Sequence, residues 1–416
     1  MSRAFRETVG GLPAAFWWLW TGTLVNRIGS FVWPFLAFYL TSELHKSAFY
    51  TGMVLSLFGG GQALAAVVGG VLADRLGRRP TMLLANVTTA VSLVGLGLVR
   101  GSVLIAVVTT VTGFFMNLSR PAYTAMMTDV VPAPDRLRAF SLNYWAINLG
   151  FAIAPVLAGV LAGHGYMLLF ALNAVATMLT ALLIFAFVAE SRPDAAESSH
   201  HEANTGERAP GLGAVFRDST FMTFLLLTFF LQIVFTQCNI ALPIVMTNDG
   251  ISTSGYGAAI AVNGVVIVLL TLPVARVIDR YRRSRVLALA ALIIGIGFGL
   301  TGFAHTVPMY AATIAVWTIG EILTAPTATA VVSDLAPASL RGRYQGMFAF
   351  AWSAASFVGP MLGGYVMGHL GVNVLWASCF VVGAVVALAH LAVAPARARR
   401  LAELKAAVPE LEPAAL

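Results

Sequence analysis

Long apolar runs separated by short polar clusters recur along all 416 residues. Breaking the chain at charges and turn residues leaves twelve apolar segments, at 14–40, 49–73, 81–99, 102–127, 139–163, 166–189, 220–246, 255–278, 286–305, 307–332, 344–368 and 372–396. Each has the length of about 20 residues that a helix needs to cross a bilayer. Their periods are helical and they are too long for strands, which excludes a spanning barrel. The pattern predicts an all-α polytopic membrane protein. One longer polar stretch, Glu190 to Ser219, divides six segments from six; it holds Pro193, Ser198, Ser199, His200, His201 and Gly206, a linker composition. The expected organisation is a six-helix bundle over 1–189, a linker over 190–219, a second bundle over 220–396 and a tail over 397–416. The first apolar run, from about Ala14, is too long for a signal-peptide core and lacks a convincing small-residue cleavage site, so it reads as an uncleaved span.

Composition sharpens this. Hydrophobic residues make up 58% and charged residues only 10%, against roughly 25% charged in a soluble domain. Such a chain cannot cover itself with a polar skin, which excludes disorder, a collagen-like fold and a soluble enzyme fold. Its net charge of +7 suggests nucleic acid until the positions are read. Of 25 Lys and Arg, Arg27 and Arg120 lie deep inside spans and Lys46 and Arg100 on odd-numbered loops. The rest gather at the termini, the linker and the even-numbered ends. This asymmetry predicts cytoplasmic termini and linker in the cell (inner) membrane, and removes nucleic acid as a partner. Cys238 and Cys379 both fall in apolar runs and build no disulfide framework.

The second half answers the first at a constant offset of 205 residues. Asp74-Arg75 matches Asp279-Arg280, Pro121 matches Pro326, Asp129 matches Asp334, and Pro132 matches Pro337. Arg136, Arg138, Pro155, Gly159, Gly163 and His164 have counterparts in Arg341, Arg343, Pro360, Gly364, Gly368 and His369. Two such bundles related by an axis along the membrane normal form a transporter architecture, with the substrate between them near the midplane.

Between spans two and three runs Gly70-Val71-Leu72-Ala73-Asp74-Arg75-Leu76-Gly77-Arg78-Arg79-Pro80. It resembles the signature loop of the major facilitator superfamily, and Asp279-Arg280-Tyr281-Arg282-Arg283 is a degenerate copy without the glycines. The resemblance covers the whole chain. Physically, Gly70 is expected to let helices approach, Gly77 to permit a tight turn, and Asp74 to cap a helix or pair with an arginine. A bond that forms in one transporter state and breaks in the other can gate. The expected gating set is therefore Gly70, Asp74, Arg75, Gly77, Arg78, Arg79, Asp129, Asp279, Arg280 and Arg283; the bland alternative is that these arginines only set topology.

Of 18 acidic residues only Glu321 falls in the middle of a span, about 14 residues from its start and about 11 from its end, or roughly 16–21 Å of helical rise. An ionised carboxylate is costly there, which suits a proton carrier or, failing that, a structural hydrogen bond between helices. Gly320-Glu321, with Pro326 five residues on, resembles a span-ten pattern of the proton-driven multidrug exporters of the superfamily, which implies a role with protons or cationic drugs. Arg27, in Asn26-Arg27-Ile28-Gly29, sits near the middle of span one; Arg120, in Asn117-Leu118-Ser119-Arg120-Pro121, sits in span four. Each is expected to pair with Glu321, bind an anion or line a wet cavity. Arg120 resembles the fourth-span arginine of proton antiporters, which implies proton coupling. Gly150 to Gly159 of span five resembles the antiporter motif, with alanine at two glycine positions, and Gly359-Pro360-Met361-Leu362-Gly363-Gly364 repeats it in span eleven. That likeness implies export.

Aromatic and amide side chains mark the expected cavity: Asn26, Phe31 and Trp33 on span one; Asn143, Trp145 and Asn148 on span five; Gln232, Gln237 and Asn239 on span seven; Asn263 on span eight; Trp352 on span eleven. Such a lining suits a bulky amphiphilic, cationic ligand. Trp17, Trp18 and Trp20 read as interfacial anchors. The lysines, Lys46 and Lys405, follow no glycine-rich run, so no P-loop exists. Of seven histidines only His390 lies inside a span, His305 standing at the very end of one, and no nucleophile elbow is present, so no cofactor, metal site or enzyme is expected. The expected function is proton-coupled export of drug-like or amphiphilic small molecules by alternating access, by a monomer whose partners are substrate, protons and lipid. The competing readings are uptake of a metabolite such as an organic anion, clamped by Arg27 and Arg120, and a membrane sensor on the same scaffold.

Overall fold

The structure, a computed structural model, describes residues 10–191, 213–278, 280–337 and 340–406. Spans two to six are the helices Ala48–Leu76, Arg78–Leu98, Ser102–Val130, Arg136–Ala162 and Tyr166–Phe187. Spans seven to twelve are Ser219–Asn248, Thr253–Ile278, Arg283–Leu300, Val307–Leu335, Arg341–His369 and Val372–Ala392. Among the described residues these eleven are long and apolar enough to cross a membrane. A short helix, Gly213–Arg217, leads into span seven, and a tail helix, Ala394–Ala406, follows span twelve.

Span one completes twelve, but not as the continuous helix expected over 14–40. It runs as Ala14–Ile28, breaks at Gly29–Phe31, and resumes as Val32–Phe38 with a wide turn over Tyr39–Glu43. Two residues explain the break. The Val32 amide donates to Asn173 Oδ1 at 3.2 Å instead of continuing the helical ladder. Pro34, two residues on, has no amide to return to Ser30.

The halves meet in two seams related by the same 205-residue offset. In the first, spans two and eleven press backbone on backbone: Gly52 faces the Pro360 carbonyl, Gly59 the Ser356 carbonyl, and Gly364 the Ala48 carbonyl. In the second, spans five and eight repeat it: Gly257 faces Pro155, Gly264 faces Ala152, and Gly159 faces Thr253. A Cβ on any of these glycines would overlap the opposite backbone, so only glycine admits this approach. Two hydrogen bonds cross the seams, Met361 N to Ser56 Oγ at 2.9 Å and Thr253 Oγ1 to Gly159 O at 3.1 Å.

All of these contacts lie toward the end away from the linker. The apolar core there mixes both halves, with Phe35 and Phe38 of span one on Tyr256 of span eight and Phe31 in the same cluster. Toward the linker end each half keeps its own core, one around Phe16, Met82 and Met126, the other around Phe221, Val332 and Tyr344. The two bundles are therefore closed at the far end and separate toward the linker.

Candidate functional site

The loop between spans two and three is set by Gly77, at φ 102° and ψ 160°, a conformation open in practice to glycine alone. It ends span two and lets span three start at once with Arg78. The first amides of span three, Arg78 N and Arg79 N, donate to the Glu190 carboxylate at 3.0 and 3.1 Å. An acid from the end of span six thus caps the positive end of span three. Arg78 pairs with Asp129 of span four at 2.9 Å, and Ser191 Oγ donates to the same carboxylate oxygen at 2.7 Å. Arg79 lies over the Phe185 ring. The pair recurs 205 residues on, where Arg283 bonds Asp334.

Three expectations for this loop change. Gly70 has nothing near it, and the close glycine is Gly69, against the Leu118 carbonyl. Asp74 and Arg75 are exposed and make no ion pair among the described residues; the cap comes from Glu190 and the arginine partner is Asp129. Arg280 is also exposed, and Asp279 lies outside the described residues. A Cβ at Gly77 would stand 2.7 Å from a Glu190 oxygen. Gly77→Ala is therefore expected to cost about 1–3 kcal/mol, read as a lower thermal midpoint of the detergent-solubilised protein.

In the C-terminal half, Glu321 Oε2 accepts a hydrogen bond from Asn263 Nδ2 at 2.8 Å, and Asn263 also donates to Thr318 Oγ1 at 3.0 Å. Glu321 has no ion pair among the described residues. It lines a cavity of about 70 Å³ together with Gln232, Phe235, Thr324, Trp352 and His390. Four expected residues, Gln232, Asn263, Glu321 and Trp352, thus come together around one carboxyl group on spans seven, eight, ten and eleven.

In the N-terminal half, Arg27 and Arg120 have no acidic partner among the described residues, and neither meets Glu321. The Arg27 guanidinium lies 5.8 Å from the centre of the Phe151 ring, and its backbone packs on Gly150. Arg120 is exposed. Beside them Tyr123 accepts from Thr23 Oγ1 at 2.7 Å and donates to Asn143 Oδ1 at 2.9 Å. Asn26 and Trp33 instead line a separate cavity of about 50 Å³ with Asn86, Thr89 and Asn173.

Other expected lining residues sit elsewhere. Gln237 is buried in the joint between spans seven and eleven, donating to Ile233 O and Gly359 O at 3.0 Å. Asn148 is buried and donates to Tyr144 O of its own helix at 2.8 Å. Trp145 stacks on Trp20, among the anchoring tryptophans. Phe31 belongs to the far-end core, and Asn239 is half-buried. Sequence reasoning missed Glu190, Tyr123, Asn173 and the latch of Asp218, Tyr344 and Arg400 that holds the tail helix. For Glu190 a signal existed: it is an acid placed immediately after the last apolar residue on the basic side.

Comparison with known proteins fits this architecture. The sequence model of the Major Facilitator Superfamily matches residues 19–238 and 238–414. An uncharacterized MFS-type transporter, YttB of Bacillus subtilis, is 29% identical over 89% of this chain and 92% of its own. A Na(+), Li(+), K(+)/H(+) antiporter of Planococcus maritimus is 24% identical over 79% of this chain and 84% of its own. Multidrug resistance protein MdtH of Aeromonas hydrophila is 24% identical over 84% of this chain and 86% of its own. Among solved structures, a POT family transporter in complex with 5-aminolevulinic acid superposes with TM-score 0.78 at 14% identity, over 94% of this chain and 98% of that one. That likeness concerns the fold. With both halves matched and the seams in place, this chain is a membrane transporter of the Major Facilitator Superfamily.

Proposed function

We propose that the chain is a proton-coupled secondary transporter that exports drug-like or amphiphilic small molecules by alternating access. The linker and both termini then face the cytoplasm of the cell (inner) membrane. The observation that carries this reading is Glu321: a mid-span carboxyl group with no cation partner among the described residues, tied to Asn263 and facing a cavity with Gln232, Phe235 and Trp352. Such a group can hold a proton in one state and release it in the other. In export, Glu321 takes a proton when the cavity faces outward and yields it to the cytoplasm when the linker end opens; substrate occupies the same cavity in the opposite phase. The names of the MdtH and antiporter relatives agree with this direction. In this reading the pairs Arg78–Asp129 and Arg283–Asp334 keep the linker-side ends of each half ordered through the cycle.

The test uses inside-out vesicles. A fluorescent cationic dye is expected to accumulate when a proton gradient is imposed, and no accumulation at any gradient would overturn export.

The guanidinium groups of Arg27 and Arg120, without an acidic partner among the described residues, favour a second reading, uptake of an organic anion clamped between them. The two readings separate on one variant. If dye export is the function, Arg27→Gln is expected to change its rate by less than about threefold. If an anion is clamped, loss of one charged contact is expected to weaken its binding by about tenfold or more, with proton movement triggered by organic anion alone.

A further inference from the structure

We propose that the linker end of the C-terminal half binds the phosphate group of an anionic phospholipid, in the cleft between the start of span nine and the tail helix. The proposal starts from a break in the internal symmetry. At the start of span three the Glu190 carboxylate accepts from Arg78 N and Arg79 N. The counterparts 205 residues on are Arg283 and Ser284 for the amides and Pro395 for the acid. Among the described residues no side chain accepts from the Arg283 or Ser284 amide. A helix end suited to an anion is thus kept while a proline stands where the first half has its acid.

What stands there instead is a basic cleft of about 860 Å³, lined by Arg282, Arg283, Arg285 and Arg397. Its lining acid, Asp334, is engaged by Arg283. Arg282 and Arg285 are exposed and make no ion pair among the described residues. Arg397 is only 4% exposed, yet its Nε has no hydrogen-bond partner among the described residues. It is held in place by His390 Nδ1 at 2.7 Å and Ser284 Oγ at 3.3 Å. Burial pushes this guanidinium down to about 10, so it stays charged at neutral pH. The tail helix that carries it is pinned by Arg400 on Asp218 at 3.3 Å. The cleft is therefore built, not a loose surface cluster.

Arginine side chains beside helix amides favour a phosphate headgroup with a net negative charge over a zwitterionic one. The rest of the lining selects a lipid over a free phosphate. Val331, Leu335, Leu391 and Leu401 supply an apolar wall at the level where spans nine, ten and twelve leave the membrane. Basic pockets between helices at this level are where anionic headgroups seat.

The full-length protein, stripped of lipid in detergent, is incubated with micelles of phosphatidylglycerol or phosphatidylcholine, and retained phospholipid is counted by mass. Retention of phosphatidylglycerol is expected to exceed that of phosphatidylcholine by about tenfold, with slowed amide exchange at 283–286. The double variant Arg282→Gln, Arg285→Gln should remove most of this preference; both residues are exposed, so the fold should not depend on them. Pro395→Glu restores the missing acid and should displace the lipid as well. Equal retention of the two lipids, or full retention by both variants, overturns the proposal. So does binding of inorganic phosphate alone that slows exchange at 283–286 while neither lipid is retained.

Discussion

Glu321→Gln is expected to abolish proton-driven accumulation while leaving substrate exchange intact. Each unit of pH gradient is worth about 1.4 kcal/mol per proton, so a carrier moving one proton per substrate at a two-unit gradient can concentrate its cargo about 100-fold. A glutamine keeps the size of the side chain and can still bond Asn263, which now lies 2.8 Å from Oε2. It cannot take up a proton. The variant should therefore bring substrate to equal concentrations on both sides of an inside-out vesicle whatever gradient is imposed, and should still exchange labelled for unlabelled substrate. If Glu321 were only a strut between spans eight and ten, the opposite pattern would appear. Glu321→Gln would then accumulate substrate as well as the native chain, and Asn263→Ala, which removes the strut but leaves the carboxyl group, would be the damaged variant.

The parts of this molecule that were legible in its sequence are those that depend on one coordinate, distance along the chain. Apolar length locates a span because the bilayer has a fixed thickness, and the 205-residue offset shows up as paired Asp, Pro and Gly residues. Parts that depend on a distant partner were hidden. Span one breaks where an asparagine 141 residues away takes the Val32 amide; Pro34 marks a weak point locally, but nothing local to span one announces that partner. Asp74 looked like the acid of the signature loop, yet it makes no ion pair among the described residues; Asp129 and Glu190 arrive from spans four and six to do both jobs. The cavity residues divided for a similar reason. Gln232, Glu321 and Trp352 converge on one space, and Asn263 bonds its carboxyl group. Gln237, five residues beyond Gln232 on the same helix, is turned into the joint with span eleven. Helical period groups residues by face, but it does not say which face meets the cavity and which meets a neighbour.

The second large effect concerns the seams. At Gly257 a Cβ would collide with the Pro155 carbonyl, as one at Gly52 would with Pro360. A leucine at 257 therefore cannot be accommodated while the halves are closed at the far end, and relief comes from parting them. Overpacking of a tight contact costs about 1–3 kcal/mol, and the cost falls only on the state in which the seam is closed. A differential of about 2.7 kcal/mol moves a two-state equilibrium about 100-fold. Gly257→Leu should thus drive the population from the linker-open arrangement seen here toward one open at the far end. The reporter is Ser56→Cys in a chain whose buried Cys238 and Cys379 are replaced by serine. Ser56 is 2% exposed and accepts from Met361 N across the other seam, between spans two and eleven. Because it lies on the opposite seam, its labelling reports movement of a whole half and not local loosening around residue 257. An impermeant maleimide supplied from the far side should label it at least about tenfold faster in the Gly257→Leu background, in proportion to the population shift. Unchanged labelling, with transport preserved, would mean that the glycine seams are not the surfaces on which this transporter opens and closes.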